Sequence, residues 1–231
     1  MRLELNKIYC MDCLEGLKQI DDNSIDLVLT DPHYAMGKEF EMGLKLDNII
    51  PQYTKLTHQK AKEDSWFIYT CPCKTIDYFI EKTKEVGYKF ERILFYYKKS
   101  KFTDVWCGWL LKSEAILLFS KGNPNKSNSN KPRYNHDVYT VQCPTTNDPS
   151  FIEHQSAKNL KVWTHIITSL SKQGDTVLDP FMGSGTTAVA CKQLQRNFIG
   201  FELSQKYVDI ANKRLQQDTL FSYDVLQTEC E

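Results

Sequence analysis

Short apolar runs rich in β-branched and aromatic residues alternate along this chain with longer segments of helical periodicity, and that alternation most narrows the folds open to it. Parallel strands need a crossover between them, most often a helix, so the pattern is that of an α/β protein built on a mainly parallel sheet. Seven runs read as strands, at residues 7–9, 25–29, 66–70, 92–97, 115–119, 176–178 and 198–201. Helices are expected at 14–19, within 43–62, and at 76–86, 160–170, 185–195 and 205–215. In the last of these, Tyr207, Ile210, Ala211 and Leu215 approximate the i, i+3, i+4, i+8 stripe of a helix packed on a sheet. The expectation is a mixed, mostly parallel seven-stranded sheet with helices on both faces, formed by one domain spanning residues 1–231.

Between 120 and 150 the periodicity fails and Asn, Pro, Ser and Lys dominate. This reads as a long loop, and within it 121–150 is a candidate substrate-contacting or target-reading insertion. Two stretches are locally basic, Tyr96 to Lys101 and Lys121 to Arg133, so Lys98, Lys99, Lys101, Lys121, Lys126, Lys131 and Arg133 are candidate phosphate contacts. A solvated loop explains such runs as readily. The whole chain is not a basic body, since 29 basic residues balance 29 acidic ones.

The chain opens without a basic-then-apolar signal pattern, and no apolar run approaches the roughly 20 residues that span a bilayer. A cytoplasmic location is expected, with no membrane partner and with the eight cysteines as reduced thiols. Cys10 with Cys13 and Cys71 with Cys73 have spacings that zinc can use. Small, partly buried side chains at strand ends are the simpler reading, and no metal is expected.

The strongest motif is Val177-Leu-Asp-Pro-Phe-Met-Gly-Ser-Gly-Thr-Thr187, an apolar strand, a glycine turn and a helix start. Gly183 and Gly185 let backbone approach a ligand, and the helix start offers unpaired N–H groups. About 20 residues on, the next strand ends in Glu202, where a carboxylate can accept from both hydroxyls of a ribose. A nicotinamide dinucleotide is a weaker candidate, because the full G-x-G-x-x-G is absent and only 29 residues follow Glu202.

Residues 25–34, Ile-Asp-Leu-Val-Leu-Thr-Asp-Pro-His-Tyr, read as a buried strand that delivers Asp31, Pro32 and Tyr34 at its carboxyl end. An ordinary turn also begins with Asp-Pro. A base extruded from a duplex can instead stack on Tyr34 while the Asp31 carboxylate and the Pro32 carbonyl accept its amino hydrogens. An exocyclic amine is a poor nucleophile because its lone pair is delocalised into the ring. Two acceptors favour a tetrahedral nitrogen that can attack a sulfonium methyl in line, with no covalent enzyme intermediate.

Together these motifs resemble the β-group DNA amino-methyltransferases, in which a DPPY motif comes first, a target-recognition segment follows and an FxGxG cofactor motif comes last. The likeness spans most of the chain. It implies a circularly permuted class I methyltransferase fold, Rossmann-like, with S-adenosylmethionine as cofactor. The strand ending at Asp12 is similar to the family strand whose acid contacts the cofactor's adenine. Glu114 to Gly122 is similar to the last core strand before the variable region. His154-Gln-Ser-Ala-Lys158-Asn159 corresponds to the family's HPxxKP segment without its prolines. The resemblance implies cofactor contacts from Asp12, Cys13, Asp31, Lys158, Asp179, Phe181, Gly183, Ser184, Gly185, Thr186, Thr187, Glu202 and Leu203, with catalysis by Asp31, Pro32 and Tyr34. His33 stands where the family has proline, which removes a rigidifying ring but neither proposed acceptor.

Double-stranded DNA with base flipping is the implied substrate, with a homodimer as an implied assembly and a cognate restriction nuclease left undetermined. The aspartate-led motif favours the adenine 6-amino group, while the cytosine 4-amino group stays open. Methylation of RNA or of a protein glutamine, and a non-catalytic relative that binds cofactor and DNA, are the competing functions.

Overall fold

The computed structural model describes residues 3–32, 46–99, 105–106, 109–110, 112–124, 137–142 and 158–217. Its strands are β1 (Lys7–Cys10), β2 (Ile25–Thr30), β3 (Ala61–Pro72), β4 (Lys89–Lys99), β5 (Val105–Trp106), β6 (Trp109–Leu110), β7 (Ser113–Lys121), β8 (Val138–Gln142), β9 (Thr176–Asp179) and β10 (Asn197–Glu202). The helices are α1 (Cys13–Leu17), α2 (Leu46–Lys60), α3 (Ile76–Glu85), α4 (Leu160–Leu170), α5 (Thr186–Gln193) and α6 (Gln205–Gln217). No helix among the described residues is long and apolar enough to cross a membrane.

Among the described residues, eight strands form the main sheet in the order β1-β10-β9-β2-β3-β7-β4-β8, with β5 and β6 as a separate two-stranded ribbon. Among these described strands β7 alone runs against the rest, pairing antiparallel with both β3 and β4. The sheet is thus mixed and mostly parallel, and all seven expected strands lie in it. The count is corrected from seven to eight. The extra strand, β8, lies inside the segment expected to be a loop and pairs parallel with β4 from Phe95↔Val138 to Lys99↔Gln142. An edge strand pairs along one side only and can carry polar residues, so its apolar signature is weak.

Helices cover both faces. On one, Val162, Trp163, Ile166 and Ile167 of α4, Ala188 and Cys191 of α5, and Val208 and Ala211 of α6 pack on Leu27, Leu29, Ile68 and Ile116. On the other, Cys13 and Leu17 of α1, Ile50 and Tyr53 of α2, and Phe79 of α3 pack on Val28, Phe67, Tyr69 and Phe119. Strands buried on both faces read as continuous apolar runs, which is why Leu27, Val28 and Leu29 show no alternation. Each large apolar side chain so buried contributes roughly 1.5–3 kcal/mol.

Two side chains lock the middle of the sheet. Asp26, at the irregularity between β2 and β3, accepts from Lys62 Nζ at 2.7 Å and from Thr176 N at 2.9 Å, tying β3 and β9 to β2. Lys121 donates to the carbonyls of His58 and Ala61 at 2.9 and 2.7 Å. Lys121 pairs with Ser65, near the start of β3, which places it at the amino edge of the parallel strands. The chain departs from β2 toward β3 through α2, and from β9 toward β10 through α5 on the opposite face. Strand order therefore reverses between β2 and β9, and a crevice opens beyond their carboxyl ends, the ligand-binding position of open α/β sheets.

Candidate active site

The crevice gathers the ends of β1, β10, β9, β2 and β3, neighbours in the sheet although drawn from both ends of the chain. Beyond the β2–β9 ladder, a side-chain hydrogen bond joins the carboxyl ends of the acceptor strand and of the strand that leads into the glycine turn: Thr30 Oγ1 donates to Asp179 Oδ1 at 2.6 Å. Asp179 is buried and also accepts from Phe181 N at 3.0 Å and Thr187 Oγ1 at 2.5 Å. Burial pushes its carboxyl up to about 6 against the pull of these donors. Trp163 Nε1 donates to Thr187 Oγ1 at 3.0 Å, so α4 braces the same point.

The glycine turn is shaped by its backbone. Gly183 has φ +54° and Gly185 φ +84°, conformations open to glycine at little cost. A Cβ on Gly185 would also stand 2.6 Å from Ala211 Cβ, so α6 can approach α5 closely only because none is there. Gly183 N donates to Glu202 Oε2 at 2.9 Å, and Ser204 N donates to Oε1 at 2.9 Å. The Glu202 carboxylate is thus aimed by two N–H groups and keeps lone pairs for further donors. From α6, Arg214 Nη1 donates to the Ser184 carbonyl at 2.6 Å and lies 3.1 Å from its hydroxyl.

Asp12 caps α1, with Oδ1 accepting from Leu14 N at 2.8 Å. Leu203 follows Glu202 with 66% of its surface exposed, an apolar side chain at the rim of the crevice. Phe181 meets the ring of Tyr53 edge-on at 5.3 Å. The structure therefore brings Asp12, Asp31, Lys158, Phe181, Gly183, Glu202 and Leu203 to one rim. Cys13, Asp179, Ser184, Thr186 and Thr187 lie there too but are buried beneath it. Burial pushes the Cys13 and Cys71 thiols up to about 12. Among the described residues no group of three or more His, Cys, Asp and Glu side chains is placed to hold a metal.

At the end of β2, Asp31 accepts from Thr70 Oγ1 and pairs through Oδ2 with Lys158 Nζ at 3.0 Å. Lys158 also donates to Glu114 Oε2 at 2.7 Å, and Lys98 pairs with Glu114 Oε1. Burial works against the Lys158 charge, but Asp31 and Glu114 outweigh it and raise its pKa. Burial likewise opposes the Glu114 charge, and Lys158 and Lys98 overcome it, holding the carboxyl below its ordinary value.

Two candidate phosphate contacts are placed otherwise than expected. Lys121 sits at the far edge of the sheet, bonded to backbone carbonyls, and Lys98 is paired with Glu114 over the Tyr96 ring. Lys99 ends β4 and is exposed. His33, Tyr34, Lys101, Lys126, Lys131, Arg133 and His154 lie outside the described residues. Thr30, Thr70, Glu114 and Arg214 belong to the site and were not singled out by chemistry in the sequence. Thr70 ends a predicted strand and Thr30 directly follows one, and only that position could have marked them.

A family model for N6/N4 DNA methylases matches residues 25–213, from the acceptor strand through the glycine turn to α6. The chain belongs to this DNA methylase family. With its acceptor loop ahead of the glycine turn, the methylase falls in the β group of DNA amino-methyltransferases. It is 28% identical to the type II methyltransferase M.HpaI of Haemophilus parainfluenzae, over 92% of this chain and 74% of that one. It is 29% identical to M1.MboII of Moraxella bovis, over 93% and 98% of the two chains. Among solved structures, the methylase matches an M1.HpyAVI complex with S-adenosylmethionine at TM-score 0.72 and 25% identity, covering 90% of this chain and 98% of that one. The fold is also shared with the cytosine-N4-specific PvuII DNA methyltransferase, at TM-score 0.75 and 21% identity, covering 92% and 87%.

Proposed function

We propose that this methylase transfers the methyl group of S-adenosylmethionine to the 6-amino group of an adenine flipped out of double-stranded DNA. The observation that carries the reading is the Thr30–Asp179 bond, which makes one crevice of the acceptor strand and the glycine turn. The residues present fit the cofactor: Glu202 is aimed by two N–H groups for ribose hydroxyls, Leu203 offers an exposed apolar surface for a flat ring, and positive φ at Gly183 opens the turn. Bound there, the cofactor supplies an activated methyl on a sulfonium, whose sulfur leaves as a neutral thioether.

The chain's own part is positioning. Asp31 and the Pro32 carbonyl accept the two amino hydrogens, so the nitrogen lone pair turns toward the methyl, while Tyr34 stacks on the base. With the cofactor bound, its methyl would pass to the nitrogen so held, and the amine would then shed its extra proton to water. Thr70 and Lys158 hold the Asp31 carboxylate in place for this. Adenine is favoured by the aspartate-led acceptor motif. Lys99, Lys101, Lys126, Lys131 and Arg133, with the 121–150 segment, form the proposed DNA-contacting set. Residues 1–231 act as one domain, and a homodimer would widen the reading surface.

The test is transfer of labelled methyl to duplex DNA followed by nucleoside analysis. The expected product is 6-methyladenine, and 4-methylcytosine would move the assignment to the cytosine amino group. Asp31→Ala is expected to lower the rate by at least about a hundredfold with cofactor binding kept. Transfer at the wild-type rate would overturn the mechanism, and cofactor binding without any transfer by the wild-type protein would make it a binding relative.

A further inference from the structure

Asp31 sits at one end of a line of alternating charges that crosses four neighbouring strands. Its Oδ2 meets Lys158 Nζ at 3.0 Å, Lys158 meets Glu114 Oε2 at 2.7 Å, and Glu114 Oε1 meets Lys98. The side chains of Lys158 and Glu114 are 11% and 28% exposed, and those of Asp31 and Lys98 20% and 36%. The two carboxylates and two ammonium groups sum to zero, so the line closes on itself electrically. Its anchors are rigid. Glu114 faces Pro72 and Tyr96 within the ladders of β3 and β4, and Lys158 precedes Asn159, the N-cap of α4, whose N–H donates to Tyr96 Oη at 3.2 Å.

A lysine needs both its distant anchor and its near partner to be held in one rotamer, because its four-carbon stem is otherwise free. Glu114 is the anchor here. Without it, Lys158 would lean wholly on Asp31, occupying the lone pairs that the substrate amine is to use, or leave it. We propose that Glu114 is a positioning residue for methyl transfer, holding Lys158 so that Asp31 is oriented without being taken up, with Lys98 fixing the far oxygen of Glu114. This rests on the reading of Asp31 as the acceptor of the amino hydrogens.

The experiment compares Glu114→Gln, Lys158→Met, their double variant and Asp31→Ala. Two quantities are read: the equilibrium affinity for S-adenosylmethionine and the single-turnover rate of methyl transfer to duplex DNA. Glu114→Gln keeps the side chain's shape and removes its charge. Its expected transfer rate is about tenfold to a hundredfold lower with cofactor affinity within about twofold of wild type, because misplacement of an acceptor acts on the chemical step. The double variant is expected to be no slower than Lys158→Met, since residues acting through one another are not additive. A wild-type rate for Glu114→Gln, or losses that multiply in the double variant, would overturn the proposal. Failure of the underlying reading looks different, because Asp31→Ala itself would then keep its activity. If Glu114→Gln loses cofactor affinity through misfolding, Lys98→Met decides, being partly exposed and meeting Glu114 at its far oxygen, away from Lys158. A slower transfer step then supports the proposal, and an unchanged one overturns it.

Discussion

Arg214 shows how a residue without a chemical role can govern a site. It reaches from α6 to the Ser184 carbonyl at 2.6 Å and to the hydroxyls of Ser184 and Thr186 at 3.1 and 3.4 Å. Arg214→Ala is expected to raise KM for S-adenosylmethionine by about tenfold, from the loss of a charge-assisted bond worth roughly 1.5–3 kcal/mol to the turn's geometry. Steady-state kinetics would show kcat changing less, and equal losses in both would place Arg214 elsewhere. Asp179 carries a pH signature. Its carboxyl is raised to about 6 by burial, so the folded state binds that proton more tightly than the unfolded chain, whose carboxyl titrates near 4. Its stabilising contribution is therefore complete below about pH 4 and is lost as pH rises through about 6. Urea midpoints for wild type and Asp179→Asn should accordingly differ most at the acid end, with the wild-type advantage shrinking between about pH 4 and 6. A gap that widens with pH would contradict this assignment.

At the scale of elements, the contact of α5 with α6 depends on a missing side chain. Gly185→Ala meets both a φ of +84° and a Cβ 2.6 Å from that of Ala211. Chemical denaturation is expected to show a loss of about 1–3 kcal/mol. Adding Ala211→Gly should recover only the steric part, because the backbone strain remains. Lys121, at the end of β7, stitches the last turn of α2 to the start of β3 at the amino edge of the sheet. Lys121→Met is expected to cost about 1–3 kcal/mol in the same assay while the salt dependence of DNA binding stays unchanged. A flatter salt slope would return Lys121 to the DNA surface. The main-sheet strand missed in the sequence, β8, has Val138 and Val141 as its only aliphatic residues within a polar segment. An edge strand is selected by backbone pairing with β4, and local composition reports that poorly.

For the whole molecule, the crevice is shared by the two ends of the chain, since β1 and β2 come early and β9 and β10 come late. A ligand seated there clamps these parts together. At a concentration about 100 times its Kd, S-adenosylmethionine should add about 2.7 kcal/mol and raise the melting temperature by roughly 5–10 °C. Thermal melts of Asp31→Ala should keep that shift, because its loss falls on the transfer step. The sequence by itself determined seven strands of the main sheet, the six helices and the two motifs, because each is written in local apolar period, glycine spacing or a strand-ending acid. Only the tertiary structure decided that Thr30 bonds Asp179, that Lys158 bridges Asp31 to Glu114, and that Lys98 and Lys121 face protein partners. These pairs join residues separated by 149, 44 and 16 positions, and in Lys121 a cation to carbonyls that every residue carries. Such partners are selected by where the sheet order sets strand ends side by side, which no local stretch of sequence encodes.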